Sequence, residues 1–553
     1  MKRRTLLKTV VGTVPALAIP GLLTARDFFY PSPAGEKIAA GPFAPTWNSL
    51  QNYKVPDWFR DAKFGMWAHW GPQCQPEHGD WYARSMYIED SDDYKFHLKE
   101  YGHPSEFGFK DIINQWKAEN FQPEQLIGLY KRAGAKYFMA LANHHDNFDT
   151  YNSKYQPWNA VKMGPKKDLM AGWAKAAKSQ GLRFAVSVHA AHAWMFYEKA
   201  QNSDQRDAYK GIPYDGRIKK EAGKNKWWEG FDPQDLYAQN HLPSTGGDQQ
   251  NIFFTQWDWS HHATVPDKKY CENFFNRTLD LIDSYEPDLV YFDDTVLPLY
   301  PVSDAGLRIA AHLYNKSAGK NNGTNEAVIT GKILDKTQRQ CMVWDIERGQ
   351  SNEIEPLPWQ TDTCLGNWHY DKSVFNNHGY KTARTVVHTL ADVVSKNGNL
   401  MLNVPVRGDG TIDADEQAIV EAIARWMEDN SESVFGTRPW KIFGEGPAME
   451  ASAPLKEQGF NEGQGKPFTG EDIRFTTKGN VLYAIALGQP VANKVIIKSL
   501  AAGSKLYPGN VTSVRLCGSN ESLDFKRHEK GLEVNLPMGV SDKYAYSLKI
   551  ESV

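Results

Sequence analysis

Acidic and imidazole side chains follow apolar, strand-like runs at several points of this chain. Residues 143–146 read Asn-His-His-Asp directly after the apolar run 135–142, and Asp293 and Asp294 close the run that begins at Pro287. A carboxylate at a strand end can serve as a nucleophile or a general acid, whereas imidazoles can hydrogen-bond hydroxyl groups or bind a metal ion. Adjacent histidines on an extended segment face opposite sides, and a metal site needs a further ligand, so this motif favours hydroxyl binding over a structural or metal role. The aspartate pair alone leaves nucleophile, metal ligand and capping pair open.

Aromatic residues accompany these polar groups. His69 ends the apolar run 64–68, and Asp80 and Trp81 follow shortly afterwards in a stretch rich in aromatic residues. The chain holds eighteen Trp and twenty-five Tyr, more than packing usually requires, and flat rings can stack on the C–H faces of sugars. Large enzymes also bury many aromatic residues as core, so any single ring has two interpretations. Together the residues indicate a wall that binds carbohydrate.

Alternating strand-like and helix-like segments run from residue 64 to about residue 430. Residues 135–142, 182–188, 287–292 and 338–346 are predicted strands, and residues 166–181 and 271–284 are predicted helices. Repeated β-α units of this kind predict an α/β fold, a (β/α)8-like barrel of the TIM type, with its chemistry at the carboxyl ends of the strands.

The pattern changes beyond residue 413. Residues 416–428 are a predicted helix and residues 435–446 a predicted turn-rich connector; short alternating runs then recur at 480–486, 494–497 and 545–550. These runs predict a C-terminal β-sandwich. We therefore expect a catalytic domain over residues 42–435 and a second domain over residues 436–553, which would pack against the barrel or contact polymer.

The N-terminus, residues 1–30, has the pattern of an export signal. Residues 1–8 are basic and include the pair Arg3 and Arg4, and residues 9–23 are apolar but interrupted by Gly and Pro. This pattern resembles a twin-arginine signal, with an ordinary secretion signal as the alternative, and it is too short and interrupted to span a bilayer stably. We expect a periplasmic or secreted bacterial protein.

Charge and cysteine content narrow the function classes. The formal net charge is −3 and the pI is near 6.6, so nothing favours nucleic acid or an acidic membrane surface as a partner. The five cysteines are widely spaced, which predicts buried thiols rather than a metal site or a disulfide framework.

Residues 57–87 and several later segments resemble glycoside hydrolase family 29, the α-L-fucosidase family. The family motif His-His-Asp-Gly-Phe is matched by His144, His145, Asp146 and Phe148, with Asn147 in place of the glycine. Similar segments include residues 164–168, 230–237, 395–405 and 440–446, and together the resemblance covers residues 45–490.

The resemblance also implies a nucleophile. Family members carry a Trp-Phe-Asp-Gly-like run whose aspartate is the nucleophile, and Tyr291-Phe-Asp293-Asp294 matches it, with Asp294 in the glycine position. It therefore implies that Asp293 attacks the anomeric carbon in a retaining mechanism.

The acid/base residue is harder to assign. The family places an arginine at the strand end matched by Arg348 and an acid/base glutamate in a later Trp-Glu segment, but here Gln360 follows Trp359. An amide cannot donate a proton and recover it, so Glu347 or Glu355 are the candidates. Strand alternation should turn Glu347 and Arg348 apart, which counts against Glu347. Further possibilities are Glu353, Asp362 and the more distant Asp80.

Other residues are expected to bind the sugar without metal or organic cofactor. His189 follows the run 182–188, where family members have tyrosine and serine, and its polarity could suit the additional hydroxyl group of L-galactose. Residues 201–250 are expected on the leaving-group side. The predicted substrate-binding residues are His69, Asp80, Trp81, His144, His145, His189, Tyr291, Arg348 and Trp368.

The sequence thus predicts an exo-glycosidase that removes terminal α-L-fucose from oligo- or polysaccharides through a covalent intermediate. Two alternatives stay open. One is an exo-α-L-galactosidase on the same scaffold; the other is a non-catalytic carbohydrate-binding protein, suggested by Gln360.

Overall fold

A computed structural model describes residues 36–245, 257–451, 454–456, 459–490, 492–540 and 544–552. The predicted export signal lies outside these residues. Eight parallel strands form a closed barrel in sequential order, with β8 paired to β1. The strands are β1 (Phe64–Ala68), β2 (Tyr137–Asn143), β3 (Arg183–Val188), β4 (Leu289–Thr295), β5 (Val328–Lys332), β6 (Val343–Glu347), β7 (Trp359–Cys364) and β8 (Gly398–Asn403). The TIM-type barrel is confirmed.

Helices of the described residues surround the barrel or lie in its loops. They are α1 (Trp47–Leu50), α2 (Asp57–Ala62), α3 (Tyr82–Ser85), α4 (Asp92–Glu100), α5 (Phe109–Gln115), α6 (Pro123–Arg132), α7 (Leu169–Ser179), α8 (Ala193–Phe196), α9 (Gln234–Tyr237), α10 (Lys268–Tyr285), α11 (Ala305–Lys320), α12 (Lys372–Asn376), α13 (Ala383–Ser395), α14 (Ala414–Asn430) and α15 (Pro447–Ala451). Asp168 caps α7 by accepting a hydrogen bond from the Ala171 amide at 2.9 Å, which explains why the helix begins after it. No helix among the described residues has the length and apolar character needed to cross a membrane.

The C-terminal region forms two antiparallel sheets around a separate core. A five-stranded sheet has the order β13-β16-β11-β10-β9, and a three-stranded sheet has the order β12-β15-β14. Their inward side chains, including Phe475, Leu482, Val534 and Leu548, are buried together, as expected for a sandwich. The strands are β9 (Arg438–Glu445), β10 (Ile473–Lys478), β11 (Val481–Ala486), β12 (Lys494–Ile497), β13 (Val511–Leu516), β14 (Phe525–His528), β15 (Gly531–Asn535) and β16 (Tyr546–Ser552).

Two predicted elements differ from the structure. Residues 435–446 are not only a connector, because β9 occupies most of them; β9 is an edge strand, where Pro439 costs no ladder hydrogen bond. The predicted strand 338–346 begins only at Val343. The preceding residues Gln338–Gln340 form a short 3-10 helix, capped by the Asp335 carboxylate, which accepts from the Gln338 amide at 2.8 Å.

A buried ion network joins the barrel to the C-terminal region. Asp392 on α13 accepts from Arg474 Nε of β10 at 2.6 Å and from Lys396 Nζ at 2.7 Å. All three residues are buried, so loss of one partner would leave an uncompensated charge. The five cysteines are all buried free thiols, as the sequence predicted.

Candidate active site

A cavity of about 480 Å³ opens where the barrel strands end. This is the edge at which the TIM fold places chemistry. Most sequence-predicted site residues line it: His69, Asp80, Trp81, His144, His189, Tyr291, Asp293, Glu347, Arg348 and Trp368. His145 lies just behind this lining, with its Nε2 atom 3.2 Å from Asp293 Oδ2. The strand ends therefore bring together residues that are far apart in sequence.

Asp293, near the end of β4, is surrounded by cationic and imidazole groups. Its Oδ1 accepts from Lys332 Nζ at 2.7 Å, and its Oδ2 lies 3.1 Å from His189 Nδ1 and close to His145. Burial alone would raise its pKa, but the Lys332 charge and the two imidazoles outweigh burial and hold the pKa of Asp293 well below its usual range. Asp293 is therefore an ionised carboxylate facing the cavity, which is the state a nucleophile requires.

Lys332, the last residue of β5, is a component that the sequence analysis missed. Its Nζ contacts both Asp293 and Glu347 and lies 3.9 Å from Asp362. These carboxylates raise the pKa of Lys332 well above its usual value against the opposing effect of burial, so the lysine is charged. The only sequence signal is a single charged residue at the end of an apolar strand.

Glu347, the last residue of β6, faces the same cavity as Asp293. Burial, together with the negative charges of Asp293 and Asp362, raises its pKa to about 7 against the lowering effect of Lys332. Because one ammonium group contacts Asp293 and Glu347, their nearest oxygens are no farther apart than two hydrogen-bond lengths. That spacing is compatible with the separation of about 5 to 5.5 Å found in retaining glycosidases.

The alternation argument against Glu347 was wrong. Arg348 has a φ of +44°, so the extended conformation ends at Glu347 and both side chains line the cavity. Left-handed backbone is uncommon for a residue with a long side chain, and the identity of Arg348 gives no sign of it.

Gln360 does not lie where a catalytic acid would contact the substrate. It lies on β7 below the cavity, fully buried, where its Oε1 accepts from Tyr137 Oη at 3.0 Å and its Nε2 donates to Asp345 Oδ1 at 2.8 Å. Gln360 is therefore part of the barrel interior, and the gap inferred from it does not exist at the strand ends.

Glu355 lies outside the cavity lining. Its carboxylate accepts from Ser351 Oγ at 2.6 Å and lies 3.5 Å from Arg339 Nη1. Glu353 is exposed, and Asp362 is buried on β7, where it accepts from Tyr291 Oη at 2.6 Å. Among the acid/base candidates, Glu347 alone combines a strand-end position, a place in the cavity lining and a raised pKa.

Imidazole and indole rings form the deep wall of the cavity. His69 stacks on His189 with ring centres 5.0 Å apart and lies 4.6 Å from His369, which the sequence analysis missed. Burial lowers the pKa values of His69 and His144 well below the usual value, so both rings are neutral. Both ring nitrogens of His69 and Nε2 of His369 lack a hydrogen-bond partner within the described part of the chain. Buried polar atoms normally have partners, so this wall suits a ligand with several hydroxyl groups.

Three of these histidines could also hold a metal ion. His69, His144 and His369 each offer a ring nitrogen within 4.8 Å of the other two. One of these rings, His69, lies against Trp67 and Trp368, with ring-centre distances of 4.8 Å and 5.7 Å. Hydroxyl donors and acceptors beside flat rings match a sugar, so we interpret this wall as a monosaccharide site.

Asp80 and Asn147 shape the site through backbone contacts. Asp80 accepts from the backbone amides of Trp368 and His369 at 3.1 and 2.7 Å, which fixes the loop that carries both rings. Asn147, in place of the family glycine, has a φ of +63°, a conformation that Asn tolerates better than most residues, and donates to the Leu236 carbonyl at 2.9 Å.

Asp294 lines the same cavity but contacts a different partner. Its Oδ1 lies 3.0 Å from His192 Nε2, and His192 stacks on Trp257, which also lines the cavity. By contrast, residues 201–245, the described part of the segment expected on the leaving-group side, contribute nothing to the cavity lining. The placement of this segment on the leaving-group side therefore stays a prediction.

Comparison with known proteins gives one consistent result. Residues 32–432 match the family model described as "Alpha-L-fucosidase", and residues 466–551 match "Alpha-L-fucosidase C-terminal domain". The chain is 24% identical to a tissue alpha-L-fucosidase of Bos taurus and 23% identical to that of Homo sapiens, over 92% of each chain in both cases. A crystal structure of a Thermotoga maritima alpha-fucosidase in complex with fucose is similar with a TM-score of 0.64 and 25% identity, covering 92% of this chain and 100% of that one.

Proposed function

The chain belongs to the α-L-fucosidase family of glycoside hydrolases, and we propose that it removes terminal α-L-fucosyl residues with retention of configuration, using Asp293 and Glu347. The observation that carries the assignment is the pair of carboxyl groups held on one lysine at the barrel mouth. One is ionised and the other has a pKa of about 7. Two carboxyl groups with pKa values driven apart are what a nucleophile and an acid/base residue need.

In the first step Asp293 attacks the anomeric carbon. Its carboxylate oxygen forms a bond to that carbon while the bond to the leaving-group oxygen breaks, and protonated Glu347 gives its proton to that oxygen. The neutral imidazoles of His69 and His144 would hold sugar hydroxyl groups, and Trp67 and Trp368 would lie against the ring. The products of this step are the free aglycone alcohol and a fucosyl-Asp293 ester.

In the second step Glu347 acts as a base. Its carboxylate takes a proton from water, the water oxygen bonds to the anomeric carbon, and the ester to Asp293 breaks, which returns both residues to their starting states. A pKa near 7 lets Glu347 exchange its proton in both directions at neutral pH. Lys332 holds Asp293 ionised and stabilises the ionised form of Glu347 in this step.

The residues that suggested the two alternative functions have other roles in the structure. A non-catalytic binding protein was suggested by Gln360, which lies in the barrel interior, while Glu347 faces the cavity. An L-galactosidase was suggested by His189, but this imidazole lies 3.1 Å from the Asp293 carboxylate and thus contacts the nucleophile. The relatives named above are all fucosidases.

The covalent intermediate provides the test. A 2-fluoro-fucosyl fluoride should trap the enzyme, because fluorine slows both steps and the fluoride leaving group compensates only the first. After digestion, mass spectrometry should find the added sugar on the peptide that contains Asp293, and an Asp293→Asn variant should stay unlabelled. Labelling at another carboxylate, or an inverted product seen by NMR, would reject this mechanism.

We also propose that the protein is exported. The basic residues 1–8 with Arg3 and Arg4, followed by the apolar residues 9–23, support this. Replacing Arg3 and Arg4 by lysine should retain fucosidase activity in the cytoplasm of a bacterial host that otherwise delivers it to the periplasm. A variant that still reaches the periplasm would indicate an ordinary secretion signal, and a wild-type protein that stays in the cytoplasm would reject export.

A further inference from the structure

A short segment of the C-terminal domain, in the connection from β9 to β10, borders the active-site cavity. Residues 459–464, here called the linker segment, lie between α15 and β10. They form hydrogen bonds with residues 347–350, at the end of β6 and just after it. The Phe460 amide donates to the Glu347 carbonyl at 2.7 Å, and the Glu462 amide donates to the Arg348 carbonyl at 2.8 Å. The Gln350 amide also donates to Asn461 Oδ1 at 2.8 Å. The linker segment is therefore fixed directly to the strand end that carries Glu347.

The side chain of Glu462 fixes this segment further. It lies 3.3 Å from Arg348 Nε and 2.9 Å from Lys381 Nζ, and it accepts from Thr363 Oγ1 at 2.8 Å. Both cations at this rim are thus paired with one carboxylate. This one carboxylate therefore ties the linker segment to two cations of the barrel domain, and the three groups together carry a net charge of +1.

Two large apolar side chains remain exposed at the same rim. Phe460 is 63% exposed and Ile333 is 50% exposed, and both line the cavity. Both have positive φ values, +49° for Phe460 and +54° for Ile333, a conformation that is rare for bulky residues and rarer for a β-branched one. Strained backbone and exposed apolar side chains at a cavity mouth point to ligand binding rather than packing.

The position of these residues relative to Glu347 identifies what they face. A general acid donates its proton to the glycosidic oxygen, so the groups next to it lie on the side of the leaving group. Phe460 is hydrogen-bonded to Glu347 through its backbone, and Ile333 directly follows Lys332, whose Nζ contacts the Glu347 carboxylate. The opposite end of the cavity is closed by buried rings such as His69 and Trp67.

We propose that Phe460 and Ile333 form the leaving-group subsite and bind the apolar C–H face of a pyranose linked to fucose. The inference rests on the proposed function, because it takes Glu347 as the acid. It predicts that these two side chains favour substrates in which fucose is attached to a second sugar ring over substrates with a small leaving group. Binding energy from this remote ring would be used to lower the barrier at the anomeric carbon.

The test compares substrates with and without a second ring. α-L-Fucosyl fluoride ends at the scissile bond, whereas fucosyl disaccharides with galactose or N-acetylglucosamine place a pyranose at the rim. For Phe460→Ala, the ratio of kcat/KM on the disaccharides to kcat/KM on the fluoride should fall about tenfold. Ile333→Ala should lower the same ratio less, and Phe460→Trp should preserve it.

Controls separate this inference from folding and from the proposed function. Met538→Ala removes a side chain that is 91% exposed in the C-terminal domain and should leave the ratio unchanged. Thermal unfolding should show that Phe460→Ala folds, as expected for an exposed side chain. If the wild-type protein hydrolyses the fluoride and Phe460→Ala leaves the ratio unchanged, the subsite is rejected while the fucosidase stands. If the wild-type protein releases no fluoride, both are rejected.

Discussion

Two layers of the barrel interior both bury acidic groups, but the partners and the ionisation of these groups differ between the layers. At the strand ends, Asp293 and Glu347 contact the charged Lys332 and face the cavity. One layer below, Asp345 bonds to the amide of Gln360, and burial raises the pKa of Asp345 well above its usual value. The upper layer keeps Asp293 and Lys332 charged and lets Glu347 gain or lose a proton near pH 7, whereas burial keeps Asp345 of the lower layer neutral.

The difference lies in depth and not in residue type. Asp345 and Glu347 are two residues apart on β6 and therefore point to the same side, into the barrel. Only Glu347 reaches the cavity, where a substrate oxygen can contact it. A buried carboxyl group is thus insufficient evidence for catalysis; it must also lie at the strand end.

The largest effect should come from the nucleophile of the upper layer. Asp293→Asn removes the attacking oxygen charge and should lower kcat/KM by on the order of 10⁴-fold. Release of nitrophenol from p-nitrophenyl α-L-fucoside measures it. Asp294→Asn is the matched control, because the adjacent carboxylate contacts His192 rather than Lys332, and its loss should be far smaller. Equal losses would remove the distinction between the two aspartates.

Glu347→Gln should give the next largest effect. Loss of the general acid should lower kcat/KM on fucosyl disaccharides by about 10² to 10³-fold, and much less on the nitrophenyl fucoside, whose leaving group needs little protonation. Activity should also stop falling as pH rises through about 7, because the group with that pKa is gone. Rate measurements on both substrates across pH check this. A uniform loss on both substrates would argue against Glu347 as the acid.

Gln360→Glu probes the lower layer and should affect stability rather than activity. It places a second acid beside Asp345 and removes the amide donor, so unfolding should become easier by about 2 to 4 kcal/mol. Thermal and urea unfolding measure the change. The folded fraction should hydrolyse fucosides as the wild type does; a gain in activity would instead place residue 360 in the catalytic site.

Lys332→Met should give a subtler result, a shift of the pH profile. The lysine charge lowers the pKa of both Asp293 and Glu347, so its loss should raise both. Activity needs ionised Asp293 and protonated Glu347; the acidic limb should therefore appear at higher pH, and the fall near pH 7 should also move upward. Profiles of kcat/KM against pH test this, with Lys381→Met as a lysine control outside the catalytic pair. Limbs that stay in place would show that Lys332 has no control over either group.

Much of the barrel could be predicted because its strands are buried on both faces. The apolar run 135–142 became β2, and the run ending at Phe292 became the first part of β4, with Asp293 following at the cavity. Histidines after apolar runs also pointed correctly to the site, since parallel strands end at one edge.

The remaining parts of the site depend on contacts that sequence spacing does not encode. Lys332 is a single charge after an apolar strand, and its link to Asp293 arises only when β4 and β5 pair. The alternation argument against Glu347 failed because of the positive φ of Arg348, which the identity of that residue does not indicate. Phe460 comes from beyond the barrel, where the surrounding sequence resembles an ordinary loop.

The linker segment has a consequence for the autonomy of the barrel. A chain shortened to end at Asn430 would retain eight strands and both catalytic carboxyl groups, yet the carbonyl of Glu347 would lose its Phe460 donor and Arg348 its carboxylate partner. The active site therefore includes residues beyond the barrel. The C-terminal domain holds the linker segment against the barrel strand that carries Glu347.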